Sequence, residues 1–450
     1  MRATSSPVGG GPSGAAAGPA NGGGADRYGA SDLLRFSTAG SVDDGKSTLI
    51  GRLLYDAKQT FDDQWEAIER TSKARGDAGV DLALLTDGLR AEREQGITID
   101  VAYRYFQTPR RKFILADTPG HVQYTRNMVT GASTADLALI LVDARHGLVE
   151  QTRRHASLAT LLGIPHLVLC VNKMDLVGYE QAVFERIRDD FADFTAKLRA
   201  THGREIDLSA IPISALVGDN VVERSEAMPW YDGPALLDYL ESVEVAWDHN
   251  LEDGRLPVQY VIRPLGSDYR GYAGVVAGGI LRPGDPVTVL PSGLESTIRG
   301  VQVGGDEVES ARPPLSVTVT LSDALDISRG DLICHSASRP AARGEFDAMI
   351  CWMSEAGRLE PGRRLGIKHT TRTARAVVDA VVHRLDVNSL QPEPGVEALA
   401  LNDIGRVRLR CTTPLFPDPY ARNRVTGSFI LIDEATSNTV AAGMVLEENS

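Results

Sequence analysis

The residues of this chain best suited to chemistry are a lysine and a hydroxyl that close a glycine-bounded stretch, Gly40-Ser41-Val42-Asp43-Asp44-Gly45-Lys46-Ser47-Thr48. A glycine, four residues and then Gly-Lys-Ser/Thr is the phosphate-loop pattern. Polyphosphate needs many hydrogen-bond donors at a place that tolerates negative charge. Gly40 and Gly45 let the backbone curl so that successive N–H groups point inward, and a following helix presents its positive end to the same point. Lys46 would reach the β- and γ-phosphates, and the Ser47 hydroxyl would hold a magnesium ion. Taken alone, the stretch also fits a glycine-rich turn between a strand and a helix.

Three further segments bear on that choice. Asp117-Thr118-Pro119-Gly120-His121 follows an apolar run ending at Ala116. A carboxylate there can hold magnesium through its water shell, the Gly120 N–H can bond a γ-phosphate, and His121 would lie near an attacking water. Gly96-Ile97-Thr98-Ile99-Asp100 offers a threonine that completes the magnesium shell when γ-phosphate is present and releases it otherwise. Asn172-Lys173-Met174-Asp175 would choose the base, because the Asp175 carboxylate can accept two N–H bonds from the guanine edge. A site that leaves polar groups unpaired with the wrong base discriminates by as much as roughly 10⁴ to 10⁵. Ser214-Ala215-Leu216 would support the guanine through backbone N–H groups and the serine. Together the segments predict GTP with Mg2+.

These residues must be held by an α/β scaffold. From Ser31 to about Val245, short apolar runs alternate with amphipathic segments, as in a mostly parallel sheet flanked by helices. Strands are expected at Leu33–Thr38, Val101–Phe106, Lys112–Ala116, Asp136–Asp143, His166–Asn172 and Ala210–Ile213. Helices are expected at Gln151–Leu162, Tyr179–Arg199 and Pro234–Val243. Thr108-Pro109-Arg110-Arg111 reads as a hairpin turn, which makes the second and third strands an antiparallel pair at one edge. After about Asn250 the texture becomes short strands between Gly, Pro, Asp and Ser turns, among them Pro257–Ile262, Tyr272–Ile280 and Ser316–Leu321. The expected plan is multidomain, an α/β P-loop GTPase domain at 31–250 followed by two antiparallel β-barrels at 251–340 and 341–450. Residues 1–30 are mostly Gly, Ala, Ser, Pro and Asn, with almost nothing to bury, and are expected to be a disordered tail.

Composition narrows the class. Of the 450 residues 42% are hydrophobic and 24% charged, as in a globular protein. A formal net charge of -13 argues against gripping nucleic acid over a broad basic surface, so no nucleic-acid partner is expected. The four cysteines, Cys170, Cys334, Cys351 and Cys411, lack the paired spacing of a zinc site or disulfide framework and read as reduced thiols of a cytoplasmic protein. No apolar run approaches the eighteen or so residues of a membrane span.

From about Ser31 to Glu447 the chain resembles the translational family of GTPases. Within it, the details are most similar to the large, GTP-binding subunits of heterodimeric sulfate adenylyltransferases. The carriers are Gly40 to Leu54, Asp87-Gly88-Leu89, Ala102-Tyr103-Arg104-Tyr105-Phe106, Tyr124-Thr125-Arg126-Asn127-Met128 with Gly131-Ala132-Ser133, and Gln151-Thr152-Arg153-Arg154-His155. Elongation factors typically carry a histidine at the position of Asp44. The resemblance implies a partner small subunit of the ATP-pyrophosphatase type, on which ATP and sulfate give adenosine 5′-phosphosulfate and pyrophosphate. This chain would couple GTP hydrolysis to that uphill step, as a heterodimer. By motif match, Lys46, Ser47, Thr98, Asp117 and His121 would serve phosphates, magnesium and water, with Lys46, Thr98 and His121 as the catalytic set. Asn172, Lys173 and Asp175 would hold guanine. No second phosphate loop is present, so no adenylylsulfate kinase activity is expected. The runner-up is an elongation-factor-like GTPase that delivers a charged RNA to the ribosome.

Overall fold

A computed structural model of the protein describes residues 33–41, 43–56, 101–119, 125–202, 205–245, 250–386 and 391–447. Val42, Asp87 to Leu89, Thr98, Gly120 and His121 fall outside the described residues.

The first sheet is built from β1 (Leu33–Ala39), β2 (Ala102–Gln107), β3 (Lys112–Asp117), β4 (Leu137–Asp143), β5 (His166–Asn172) and β6 (Asp207–Pro212), in the order β2-β3-β1-β4-β5-β6. All its pairings are parallel except β2 with β3, where the turn at Thr108 makes an antiparallel edge. The Thr108 hydroxyl accepts the N–H groups of Arg110 and Arg111, which fixes that turn. Every residue of β4 and β5 is buried, because helices cover both faces of the sheet.

On one face α1 (Lys46–Asp56) and α5 (Leu236–Ser242) pack Leu49, Ile50, Leu53, Leu236 and Leu240 against Phe36, Phe113 and Leu139. The other face carries α2 (Thr125–Ala132), α3 (Glu150–Leu161) and α4 (Gln181–His202). The apolar cluster under these three helices continues into the last part of the chain through Cys351, Ile404, Tyr420 and Met444.

The second sheet contains β7 (Arg255–Pro257), β8 (Tyr260–Ile262), β9 (Gly271–Val275), β10 (Pro286–Leu290), β11 (Leu294–Val303), β12 (Asp306–Val308), β13 (Ser316–Leu321) and β14 (Leu332–His335). Its path is β7-β14-β10-β11-β13-β9-β8, with β12 attached to β11. The run expected as one strand over Pro257–Ile262 is two. Val258 N–H goes to Asp331 and Gln259 N–H to Ala273, so the chain crosses here from one edge of the sheet to the other and draws it round. The run expected at Tyr272–Ile280 stops at Val275, because Val276 bonds Leu315 and Ala277 bonds Arg255 instead.

The third sheet contains β15 (Arg343–Trp352), β16 (Arg364–His369), β17 (Arg372–Leu385), β18 (Pro392–Pro394), β19 (Ile404–Leu415), β20 (Ser428–Ile432) and β21 (Thr439–Val445). Pairing of β16 with both β20 and β17 closes six of these strands into a barrel, and β18 lies on β17. Its interior is filled by Phe346, Ile350, Trp352, Leu409, Phe429 and Leu431.

Two crossed ion pairs lock the second and third sheets together. Arg255 on β7 forms two 2.9 Å bonds to the Asp418 carboxylate, and both side chains are buried. The Thr426 hydroxyl donates to the same carboxylate at 2.6 Å. In the opposite direction, Arg422 grips Asp253 at 2.6 and 3.0 Å. Contacts to the unit of the first sheet are a bond from Tyr420 to the Leu162 carbonyl, the Arg424 guanidinium on the Ser133 and Ala135 carbonyls, and an exposed Arg126–Glu355 ion pair at 3.2 Å.

Removing one member of a buried pair leaves the other charge uncompensated, at about 3–5 kcal/mol. Asp418→Ala is therefore expected to destabilise the two β-units by about that amount in denaturant titrations. A loss below about 1 kcal/mol would show that the pair does not hold them.

Candidate functional site

In open α/β sheets ligands lie beyond the carboxyl ends of the strands, where the strand order reverses. Here that point is the end of β1, with β3 on one side and β4 on the other. The chain leaves β1 there at Gly40 and enters α1 at Lys46.

The loop is held by its own side chains. Lys46, almost fully buried, donates to the Gly40 carbonyl at 2.9 Å and the Ser41 carbonyl at 2.8 Å, using two of the three donors of its ammonium group. Burial pushes its pKa down, against the opposing pull of the Asp117 and Asp44 carboxylates. Asp44 turns back on the loop, accepting the Ser41 N–H at 2.5 Å. Ser47 and Thr48 follow in the first turn of α1.

The requirement for glycine at position 45 is geometric. Its φ is +90°, and a Cβ there would sit 2.4 Å from the Asn172 amide nitrogen. At Gly40 a Cβ would come within 3.0 Å of the Leu141 carbonyl oxygen on β4.

Asn172 is the contact between the two halves of the site. From the end of β5 its buried amide donates to the Asp44 carbonyl at 2.8 Å, and its oxygen accepts the Ala215 N–H at 2.9 Å. Lys173 reaches the Asp43 carbonyl at 2.5 Å and the Asp143 carboxylate at 3.0 Å. Asp43 and Lys173 both have left-handed backbones, with φ of 70° and 65°. Such strain in non-glycine residues persists where surroundings enforce it, commonly at functional sites.

On the far side, the Ser214 hydroxyl donates to the Asp175 carboxylate at 2.6 Å, which orients that carboxylate. The Ala215 N–H is already taken by Asn172, and Leu216 offers its carbonyl to Arg52 at 2.5 Å. Asp117 ends β3 buried beside β1, with one oxygen 3.3 Å from the Thr38 hydroxyl. Ser47 and Asp117 supply hydroxyl and carboxylate oxygens, the hard donors that suit magnesium.

The motifs did not single out Asp143, Arg145 or Arg52. Burial acts against ionisation of Asp143, yet hydrogen bonds from Arg145 and Lys173 hold its carboxyl well below the ordinary carboxylate range. It is therefore a fixed anion behind Lys173. Arg52, in the second turn of α1, bonds the carbonyls of Ala215 and Leu216 and so braces the segment opposite the loop. The position of Asp143, at the end of an apolar strand, was the available signal.

Residues 31–245 match the elongation factor Tu GTP binding domain family, and residues 345–446 match the GTP-eEF1A C-terminal domain-like family. The chain is 60% identical over 421 residues to the bifunctional enzyme CysN/CysC of Mycobacterium tuberculosis, covering 93% of this chain and 68% of that protein. It is 53% identical to sulfate adenylyltransferase subunit 1 of Bacteroides fragilis, covering 92% of this chain and 86% of the relative. It is also 53% identical to the subunit 1 of Alteromonas mediterranea, covering 93% and 87%.

Gly45→Ala would drive a methyl group into Asn172 and separate the two halves of the site. Binding of a fluorescent guanine nucleotide is expected to fall by about 10²-fold or more, as for other misplacements near 1 Å. Affinity within threefold of the unaltered protein would contradict this geometry.

Proposed function

Because this chain belongs to the sulfate adenylyltransferase subunit 1 family and opens with an elongation factor Tu-type GTP binding domain, we propose that it hydrolyses GTP to drive sulfate activation. The adenylyl transfer itself is assigned to a partner small subunit, on which ATP and sulfate become adenosine 5′-phosphosulfate and pyrophosphate. The name "subunit 1" on its relatives supports such a partner. No helix among the described residues is long and apolar enough to cross a membrane. A cytoplasmic site of action fits the free thiols of all four cysteines.

The observation that carries the reading is the bridge made by Asn172. One amide ties the phosphate loop to the Asp175–Ser214 pair, so the groups that hold phosphate and the groups that read a base are set at a fixed separation. Lys46 and the N–H groups of residues 43–48 are assigned to the β- and γ-phosphates. Ser47 and Asp117, with Thr98 outside the described residues, would hold a magnesium ion, which would offset the charge of the phosphates. His121, also outside the described residues, is assigned to orient the attacking water. Asp175, oriented by Ser214, is assigned to the guanine edge.

Co-expression with a sulfate adenylyltransferase small subunit of the ATP-pyrophosphatase type tests the coupling. Adenosine 5′-phosphosulfate formation is expected to rise with GTP and to lose that rise with a non-hydrolysable analogue. A stable, GTP-hydrolysing complex without GTP-dependent product would defeat the proposal. For the base, Asp175→Asn is expected to weaken GTP binding by about 10²-fold or more and shift preference towards xanthosine triphosphate. Unchanged GTP affinity in competition would remove Asp175 from that role.

A further inference from the structure

The phosphate loop of this chain carries a buried negative charge in a cradle built for anions. Asp44 turns back beside Gly40. Its Oδ2 accepts the Ser41 N–H and stands 3.2 Å from where a Cβ on Gly40 would be. Only 7% of its surface is exposed, so water screens it poorly. The next residue but one is Lys46, the principal cation of the loop. Lys173 approaches the loop from β5, but its ammonium group contacts Asp143 and the Asp43 carbonyl, and no ion pair joins it to Asp44. Burial raises the Asp44 pKa, while the Ser41 N–H, Lys46 and Lys173 favour the ionised form and Asp143 disfavours it.

A neutral acceptor would brace the loop equally well. An asparagine oxygen could take the Ser41 N–H at the same place, so the hydrogen bond does not itself call for a charge. What the carboxylate adds is a field opposing the one made by Lys46 and the loop N–H groups. That field acts on every bound polyphosphate, because the carboxylate belongs to the same six-residue loop. We propose that Asp44 acts as a brake on phosphate affinity, weakening the hold on nucleoside diphosphate so that it leaves without an exchange partner. The proposal rests on the guanine-nucleotide reading of the site. It adds a role for a residue whose carboxylate is turned onto its own loop: Asp44 is a positioning residue whose charge also sets the release rate.

The test is stopped-flow dissociation and equilibrium binding of fluorescent GDP to the full chain with Asp44→Asn, alongside Asp44→Ser. Both replacements remove the charge and keep a side-chain oxygen. Asp44→Asn is expected to bind GDP about tenfold more tightly, with the gain mainly in a slower off-rate, and Asp44→Ser to move in the same direction. Fluorescent guanosine without phosphate should bind all three proteins alike. A merely structural brace predicts the opposite, weaker GDP binding in one or both variants. That result, or unchanged GDP affinity in a folded variant, overturns the proposal. If the unaltered chain binds no guanine nucleotide, it is the reading of the site that fails.

Discussion

One buried amide holds the site together. Asn172 is at the end of β5, and its two ends bond to backbone on opposite sides of the site, the Asp44 carbonyl and the Ala215 N–H. Each of these backbone groups would otherwise lie buried without a partner, a cost of about 1–3 kcal/mol. Meeting both with one rigid side chain turns two loops from different strands into one unit. Gly45 has no room for a side chain because Asn172 occupies that space. Gly45 and Asn172 therefore depend on each other.

The charges around this bridge are arranged in layers. Lys46 is bound to carbonyls of its own loop, and Lys173 is bound to Asp143, which Arg145 in turn grips at 2.6 Å. Cations so placed lose little freedom when an anion arrives, the usual basis of preorganised electrostatic binding. Asp44 lies behind Lys46 as a buried carboxylate, the group proposed above to limit how strongly the site attracts phosphate, whereas the buried Asp117 is the one assigned to magnesium.

The rest of the chain is joined unevenly. Between the second and third sheets the contacts are two bidentate arginine–carboxylate pairs, and Arg255–Asp418 is shielded from water. Towards the first sheet they are an apolar cluster, the exposed Arg126–Glu355 ion pair, and bonds from Tyr420 and Arg424 to carbonyls. A buried bidentate charge pair is held more firmly than an exposed ion pair or bonds to neutral carbonyls. A displacement of the GTPase unit would therefore leave the two β-units together.

Much of the fold and site was legible in the sequence, because stereotyped backbone demands leave residue-level marks. A phosphate loop needs glycine at two places, a parallel strand buried on both faces reads as a continuous apolar run, and a hairpin turn at Thr108 declares its edge strand. Those features placed β1 to β5, the phosphate loop and the tetrad at Asn172 close to where they lie. Elements with weaker marks were less clear. The run after Tyr272 ended early, since whether Val276 and Ala277 stay in a strand depends on Leu315 and Arg255, which are distant in sequence. The strand β11 alternates too loosely to stand out, having a bulge between Ile298 and Gly300.

What only the tertiary structure decided are relations between residues far apart. No spacing rule joins Arg255 to Asp418, Arg52 to Leu216, or Asp143 to Lys173. Nor could the sequence tell that Asp44 turns inward while Asp43, its neighbour, is exposed. Local sequence determines which backbone conformations are permitted and which groups are able to bind phosphate or a base. The burial, pairing and charge of those groups depend on which strands become neighbours, and that is settled only when the whole sheet has assembled.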